Sequence, residues 1–136
     1  MKIICIDGFN SYLAKKFYNK YKEKYKIFRF KSDINNISEL KNFIDKKKIT
    51  IYIRFAGLSR SNCEINPKGC YSTNYIANQK LVKFIKLKKI KLIFMSSSHI
   101  YSHSNKKINE KFNTCPNNNY GRFKLKSENY IKKHLD

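Results

Sequence analysis

Acidic residues are scarce in this sequence: nine aspartates and glutamates stand against 30 lysines and arginines, a formal net charge of +21. Such a charge attracts anionic partners, of which nucleic acid and an acidic membrane surface are the most general. The lysines are spread through nearly every segment, however, whereas a nucleic-acid footprint is usually a patch or stripe. Lysine, asparagine, isoleucine and tyrosine are abundant together, as A/T-rich codons also produce. We therefore do not expect nucleic acid as a partner, although the charge still attracts an anionic ligand such as a nucleotide.

Metal motifs and long apolar runs are also lacking. The four cysteines, Cys5, Cys63, Cys70 and Cys115, form no Cys-x-x-Cys pair, and no histidine lies at metal-ligand spacing from them. We expect reduced, structural thiols and no metal site. No run approaches the length of a membrane span, and the apolar start at residues 1–6 is too short for a signal peptide. The sequence therefore predicts a soluble, cytoplasmic protein that makes no use of a membrane. The histidines have no partner pattern and are expected to be surface or structural residues: His99, His103 and His134.

The apolar pattern predicts strands that alternate with helices. Four runs have the composition of buried strands: residues 2–6, 25–30, 49–55 and 91–95. Four segments have the apolar period of a helix: residues 12–21, 38–48, 71–88 and 120–134. Ser38 is the expected N-cap of the second helix. The alternation predicts an α/β fold with a parallel sheet covered on both faces, whose strands end at one ligand-binding edge.

A turn suited to a dinucleotide follows the first strand. Such a turn needs small residues for a tight bend, for a close approach to the pyrophosphate and for close packing of helix on strand, and Gly8, Ser11 and Ala14 occupy these places. The helix N-terminus there attracts an anion. Ser11 stands where glycine is usual, and its hydroxyl either bonds a phosphate or crowds it. The alternative is an ordinary strand-to-helix turn with one necessary glycine.

Two further segments suit a nucleotide cofactor. Arg29 and Lys31, at the end of the second strand, suit the 2′-phosphate of NADP, so NADP is slightly favoured over NAD. The alternative is that they are two of many solvated basic residues. After the third strand, Ala56 and Gly57 let the backbone pass close to a bound cofactor. An ordinary strand-ending glycine is the alternative there.

Serines 96–98 follow the fourth strand, and Tyr120 and Lys124 lie one helical turn apart further on. An ammonium beside a phenol favours the phenolate and lowers the tyrosine pKa toward the working pH. Such a tyrosine can exchange a proton with a substrate oxygen, to which a serine at a strand end can donate. The alternative for the serines is a helix cap or a polar turn.

The order of these motifs resembles the NAD-dependent epimerase/dehydratase family, the extended branch of the short-chain dehydrogenase/reductase superfamily, which acts on nucleotide sugars. The matching pieces are, in order, Gly8, Asp33-Ile34, Phe55-Ala56-Gly57-Leu58-Ser59, Asn66-Pro67, Asn74, the Ser-Ser-Ser-x-Ile-Tyr strand end, and Pro116-x-x-x-Tyr120-Gly121-x-x-Lys124-Leu125 followed by Glu128. They cover nearly the whole chain. The resemblance implies a Rossmann-like three-layer αβα fold, an NAD or NADP cofactor, and hydride transfer on a nucleotide sugar.

The resemblance also implies roles for single residues. Tyr120 is the expected general acid/base, and Lys124 lowers its pKa and bonds the nicotinamide ribose. Ser97, four residues before Tyr101, is the expected catalytic serine, with Ser98 as the fallback. The remaining implied roles are pyrophosphate contact for Gly8, Ser11 and Ala14, adenine contact for Asp33 and Ile34, contact with the middle of the cofactor for Ala56 and Gly57, and a structural brace at Asn74.

Four departures from the family pattern accompany the resemblance: Asp7, Ser11, Arg54 and the missing C-terminal region. Asp7 stands where threonine is common, and Arg54 lies near the family's histidine. Residues 1–136 are expected to form a single NAD(P)-binding domain, truncated before the last strands and the C-terminal region that binds the sugar. A partner chain that supplies this region, or a homodimer through the helices at 71–88 and 120–134, is expected. The alternatives are a non-catalytic or partner-dependent nucleotide-binding remnant and, least favoured, a basic nucleic-acid-binding protein.

Overall fold

The computed structural model describes residues 2–135. The strands are β1 (Ile3–Ile6), β2 (Lys26–Arg29), β3 (Ile51–Arg54) and β4 (Lys91–Phe94). The α-helices are α1 (Tyr12–Tyr21), α2 (Ile37–Lys47), α3 (Arg60–Ile65), α4 (Pro67–Tyr71), α5 (Ala77–Leu87) and α6 (Asn119–Leu135). A π-helical turn, Ser72–Ile76, joins α4 to α5, and a 3-10 turn, Ser98–Ile100, follows β4.

The chain divides into two compact units. We call residues 2–57 with Lys80–Met95 the sheet unit, and Leu58–Gln79 with residues 96–135 the helical unit.

The sheet unit is a four-stranded parallel sheet in the order β2-β1-β3-β4. Because side chains alternate between the faces of a strand, Ile4, Ile6 and Ile53 share one face, where Phe17 of α1 packs against them. On the opposite face, Phe28 and Phe30 contact the ring of Phe43 in α2. The Rossmann-like α/β prediction is therefore confirmed.

The N-cap of α2 differs from the predicted one. Asn36 caps this helix: its side-chain oxygen accepts a hydrogen bond from the Glu39 N–H at 3.2 Å. Ser38 lies inside the first turn, so its prediction as the cap is wrong. An N-cap residue has non-helical backbone and accepts a hydrogen bond from the N–H about three residues further along the chain. Asn36 meets both conditions, whereas the backbone of Ser38 is already helical.

Two boundaries in the helical unit also differ from prediction. The segment at residues 60–65, to which the sequence assigned neither a strand nor a helix, forms α3, which Ser59 caps by accepting from the Asn62 N–H. The helix expected to begin near residue 71 begins at Pro67, because Asn66 caps it and proline suits the first helical position. No helix within residues 2–135 is long and apolar enough to cross a membrane.

A disulfide joins Cys63 of α3 to Cys70 of α4, with Cα atoms 4.9 Å apart. The expectation of reduced thiols is therefore wrong for this pair. Sequence separation alone did not reveal it, because the turn at Asn66-Pro67 is what brings the two short helices together. The amide nitrogen of Asn74 lies 3.4 Å from one sulfur and 3.5 Å from the other. The other two cysteines are free, Cys5 buried and Cys115 exposed.

Candidate functional site

The turn after β1 depends on Gly8. Its φ of +59° lies in the left-handed region that favours glycine. A Cβ atom at this position would lie 2.5 Å from the backbone nitrogen of Ala56, so the turn passes directly against the segment after β3. The Ser11 N–H donates to the Gly8 carbonyl at 2.8 Å and closes the turn. A tight bend and a close backbone approach are thus both present where the sequence predicted a nucleotide turn.

Ser11 serves as the N-cap of α1. Its hydroxyl oxygen accepts a hydrogen bond from the Ala14 N–H at 3.2 Å, and Ala14 is fully buried. The sequence left open whether this hydroxyl bonds or crowds a phosphate. In the structure it occupies one of the N–H groups that the helix N-terminus offers to an anion.

Asp7 and Arg54 form a buried ion pair, with 2.8 Å between the guanidinium Nη1 and the carboxylate Oδ2. The exposed fraction is 0% for Asp7 and 1% for Arg54. Tyr52 donates its hydroxyl to the same Oδ2 at 2.8 Å, while Oδ1 accepts the N–H groups of Phe55 and Ala56 at 2.7 Å each. Asp7 therefore anchors the backbone after β3 against the end of β1. The two departures from the family pattern compensate each other, since the negative charge has a buried positive partner.

Burial and charge shift the pKa values in this cluster. Burial by itself lowers the pKa of Arg54, but the charges of Asp7 and Tyr52 and the hydrogen bonds to both together outweigh it, and the pKa is raised above its ordinary value. Burial, together with the charge of Asp7, raises the pKa of Tyr52 well above its ordinary value. The same two causes raise the pKa of the Cys5 thiol. The cluster therefore holds a charged arginine beside a protonated phenol and a protonated thiol.

The other residues predicted to bind the cofactor follow the strands of the sheet unit. The guanidinium of Arg29 lies over the rings of Phe9 and Tyr18, 4.6 and 4.9 Å from their centres. The Asp33 carboxylate accepts two hydrogen bonds from Asn35. Ile34 is buried, Ala56 is half-buried and Gly57 is exposed.

Tyr120 and Lys124 lie on α6 in the helical unit. The ammonium nitrogen of Lys124 is 5.7 Å from the centre of the Tyr120 ring. Lys124 is buried, with only 5% of its surface exposed, and Tyr120 is half-buried. The two side chains thus meet one turn apart, as their spacing predicts.

Ser97 lies at the start of the 3-10 turn, where its oxygen accepts the N–H of His99 at 3.2 Å. A hydroxyl that accepts one hydrogen bond keeps its own proton available to a further acceptor. Ser98, the predicted fallback, is exposed. Ser97 belongs to the same unit as Tyr120 and Lys124.

His99 is a residue to which the sequence assigned no site. Its ring meets the Tyr120 ring edge to face, with 5.8 Å between the centres, and its Nδ1 lies 3.5 Å from the Asn118 amide nitrogen. Gly121 permits this contact, because a Cβ atom there would lie 2.1 Å from the His99 carbonyl oxygen. The only available signal in the sequence was the position of His99 two residues after Ser97.

Asn74, in the π-helical turn, braces the segment after β3. Its side-chain oxygen accepts the Leu58 N–H at 2.7 Å, and its nitrogen donates to the Leu58 carbonyl at 3.0 Å. Its own carbonyl accepts from the Ser127 hydroxyl at 2.6 Å and from Asn78 at 2.8 Å. Asn74 therefore has the bracing role that the resemblance implied, and it also anchors α6.

A family model, the NAD dependent epimerase/dehydratase family, matches residues 10–135. The chain is similar to the dTDP-4-dehydrorhamnose reductase of Bacillus anthracis, solved in complex with NADP: 26% identity, TM-score 0.88, covering 98% of this chain and 50% of that one. It is also similar to the UDP-Glc/GlcNAc 4-epimerase of Campylobacter jejuni, with 20% identity and TM-score 0.89, covering 98% and 49%.

A third solved structure, the L-threonine dehydrogenase of Clostridium difficile, matches with 16% identity and TM-score 0.90, covering 98% of this chain and 49% of that one. At these identities the epimerase and the threonine dehydrogenase support the fold alone. The chain spans about half the length of the solved relatives that it matches. No curated protein matches it significantly.

Proposed function

The chain belongs to the NAD-dependent epimerase/dehydratase family, and on that premise we propose that it binds NAD or NADP and performs the acid/base chemistry of hydride transfer on a nucleotide sugar. The observation that carries this proposal is the pairing of Tyr120 with the buried Lys124, one turn apart on α6. The reductase relative bound to NADP supports the cofactor class. The family and the dTDP-4-dehydrorhamnose reductase relative support the nucleotide-sugar substrate.

Tyr120 is the proposed proton donor and acceptor. In the reducing direction its hydroxyl gives a proton to the substrate carbonyl oxygen, and in the oxidising direction the phenolate takes a proton from the substrate hydroxyl. The Lys124 ammonium stabilises the phenolate because opposite charges favour the charged form of each other. A buried lysine exerts this effect with little screening by solvent.

Ser97 is the proposed second donor to the same substrate oxygen. Its oxygen already accepts the His99 N–H, which orients the hydroxyl and leaves its proton for the substrate. Such a donor stabilises negative charge that develops on the oxygen during the reaction. Ser98 remains the fallback for this role.

The residues of the sheet unit fit a dinucleotide. The positive φ of Gly8, its close approach to Ala56 and the burial of Ala14 meet the needs of a pyrophosphate turn. We propose that Gly8, Ser11 and Ala14 contact the pyrophosphate, that Asp33 and Ile34 contact the adenine, and that Ala56 and Gly57 contact the middle of the cofactor. Arg29 and Lys31 favour the 2′-phosphate of NADP, and Lys124 bonds the nicotinamide ribose. When bound, the nicotinamide ring supplies or accepts the hydride.

Fluorescence titration with NADPH and NADH tests the cofactor claim, and a turnover assay tests the mechanism. We expect Tyr120→Phe to keep the NADPH Kd within about twofold, since no charged group is lost, and to lower turnover of dTDP-4-dehydrorhamnose by about 10²-fold or more. Tyr130→Phe, on the same helix, is the matched control and should keep full turnover.

Absence of binding of either nucleotide at millimolar concentration would sink the cofactor claim. Equal turnover by wild type and Tyr120→Phe would sink the mechanism.

One observation favours the second candidate, a non-catalytic nucleotide-binding remnant. The Ser11 hydroxyl occupies the Ala14 N–H that a pyrophosphate would otherwise use. We therefore expect Ser11→Gly to tighten NADPH binding several-fold, while loss of the cap costs only a few tenths of a kcal/mol in the free energy of unfolding. Ser59→Gly, which removes the cap of α3, is the control and should leave NADPH affinity unchanged. If Ser11→Gly binds NADPH no better than wild type, the hydroxyl does not obstruct the turn.

A further inference from the structure

A side chain from another helix, Glu64 of α3, holds the start of α6. One carboxylate oxygen of Glu64, Oε1, accepts the backbone N–H of Asn119 at 2.9 Å, and Oε2 lies 3.4 Å from the Asn119 side-chain nitrogen. Glu64 and Asn119 are 55 residues apart in sequence, so the contact forms only in the folded chain. Asn119 is the first residue of α6 and directly precedes Tyr120.

This contact gives a partner to a backbone group that α6 cannot bond by itself. The first N–H groups of an α-helix have no carbonyl one turn earlier to which they can donate, and a carboxylate there is also favoured by the helix dipole. Glu64 accepts the N–H of Asn119, and the Asn118 side chain accepts the N–H of Gly121 at 2.8 Å. Side-chain oxygens therefore hold the residues on both sides of Tyr120.

The two helices that Glu64 connects are each fixed by further contacts. On α3, the residue next to Glu64 is the fully buried Cys63, which the disulfide joins to Cys70 of α4. On α6, Gly121 lies so close to the 3-10 turn that a Cβ atom there would be 2.1 Å from the His99 carbonyl oxygen. The carboxylate thus fastens the first turn of α6 to a covalently anchored helix.

We propose that Glu64 is a positioning residue for the acid/base step, which acts through α6 and sets the place of the Tyr120 hydroxyl. Tyr120 lies on the turn that Glu64 holds, whereas Lys124 lies one turn later. Loss of the contact displaces the phenol more than the lysine, and misplacement of a reacting group slows the chemical step. The assignment rests on the proposed function and adds to it a residue outside the proposed cofactor and substrate contacts.

Steady-state turnover of dTDP-4-dehydrorhamnose with NADPH tests the assignment. We expect Glu64→Ala to lower kcat about tenfold and to keep the NADPH Kd within about twofold, because the proposed cofactor contacts remain. Glu64→Gln keeps an oxygen that can accept the Asn119 N–H, and it should bring kcat back to within about threefold of wild type. Glu23→Ala is the matched control: it removes the same charge from an exposed carboxylate beyond the end of α1 and should change neither value.

Amide hydrogen exchange gives a second measurement, which does not depend on turnover. Glu64→Ala should speed the exchange of the Asn119 N–H about tenfold, since that N–H loses its hydrogen-bond acceptor. Glu64→Gln and Glu23→Ala should keep the wild-type exchange rate. Circular dichroism of each variant verifies that the fold is retained.

Three outcomes would overturn the assignment: wild-type kcat in Glu64→Ala, a Glu64→Gln variant as slow as Glu64→Ala, or an equal loss of kcat in Glu23→Ala. The proposed mechanism is tested separately. If Tyr120→Phe loses turnover while Glu64→Ala keeps it, the Glu64 assignment fails and the mechanism stands. If Tyr120→Phe keeps full turnover, the mechanism fails, and faster Asn119 exchange in Glu64→Ala would still establish Glu64 as the anchor of α6.

Discussion

At the scale of single residues, a carboxylate and a guanidinium with almost no exposed surface connect the ends of β1 and β3. Each position alone breaks the family pattern, and either charge alone would be costly to bury. Together they form a 2.8 Å ion pair, which the Tyr52 hydroxyl and two backbone N–H groups complete. The pair holds the end of β1 against the segment after β3, so replacing either residue alone should cost more than replacing both.

Asp7→Asn should lower the free energy of unfolding by about 3–5 kcal/mol, because it leaves the Arg54 charge buried without its partner. Urea denaturation measures the loss. Asp45→Asn is the matched control: it breaks the half-exposed Asp45–Lys88 pair of the same unit and should cost at most about 1 kcal/mol. Adding Arg54→Met to Asp7→Asn should recover part of the loss. Equal costs for the two asparagine variants would show that burial of the pair does not matter.

The buried Cys5 thiol and Tyr52 phenol should make the protein sensitive to alkali. The pKa of both groups is raised by folding, whereas in the unfolded chain they titrate near about 8.5 and about 10. Above those values the unfolded state has lost protons that the folded state keeps. Stability is therefore complete below about pH 8 and falls as pH rises, by up to about 1.4 kcal/mol per pH unit for each group.

Urea midpoints at about pH 7 and about pH 10 measure this fall. Cys5→Ala should flatten the dependence on pH, because it removes the thiol that titrates first. Cys115→Ala is the control, since that thiol is exposed, and it should keep the wild-type slope. A Cys5→Ala slope equal to that of wild type would contradict the assignment.

At the scale of elements, α6 carries Tyr120 and Lys124, the side chains proposed for acid/base chemistry, and its place in the helical unit depends on Gly121. A side chain at this position would overlap the His99 carbonyl in the 3-10 turn. The Asn118 side chain accepts the Gly121 N–H at 2.8 Å and so orders the start of the helix. The glycine therefore brings Tyr120 to the turn that carries Ser97 and His99.

Gly121→Ala should destabilise the protein by about 1–3 kcal/mol, since the added methyl must push α6 or the 3-10 turn aside. It should also reduce turnover, because the Tyr120 ring leaves its contact with His99. Thermal unfolding and the NADPH-dependent turnover assay measure the two effects. Asn129→Ala, at an exposed position of α6, should be neutral or slightly stabilising. A stable, fully active Gly121→Ala variant would refute this explanation of the glycine.

At the scale of the whole molecule, charge is the dominant feature. The formal net charge is +21. The positive side chains repel one another more strongly in the compact folded chain than in the expanded unfolded chain, and this repulsion opposes folding. The ion pairs found among the described residues do little to offset this, and Asp7–Arg54 is the one buried pair among them. Screening by salt should therefore favour the folded state.

Raising sodium chloride from about 20 mM to about 300 mM should increase the urea midpoint, because the shorter Debye length screens the repulsion among the lysines and arginines. A parallel series in potassium chloride separates screening from any effect of the cation. A midpoint that is constant or falls with salt would contradict self-repulsion. A DNA affinity that falls steeply over the same range would show only the same positive field.

Local periodicity and motifs in a fixed order were enough to predict the alternation of strands and helices, the parallel sheet and the family. The Tyr120–Lys124 pair was also predictable, since helix geometry relates residues four apart. The Asp7–Arg54 pair, the Cys63–Cys70 disulfide and the contact of His99 with Tyr120 were not predictable, because they join segments that meet only in the folded chain. Asp7 and Arg54 are 47 residues apart and become neighbours only when the parallel strands align. The turn at Asn66-Pro67 brings the two cysteines together, and Gly121 lets α6 approach the 3-10 turn that carries His99. No local pattern records such distances, so these features became visible only in the folded chain.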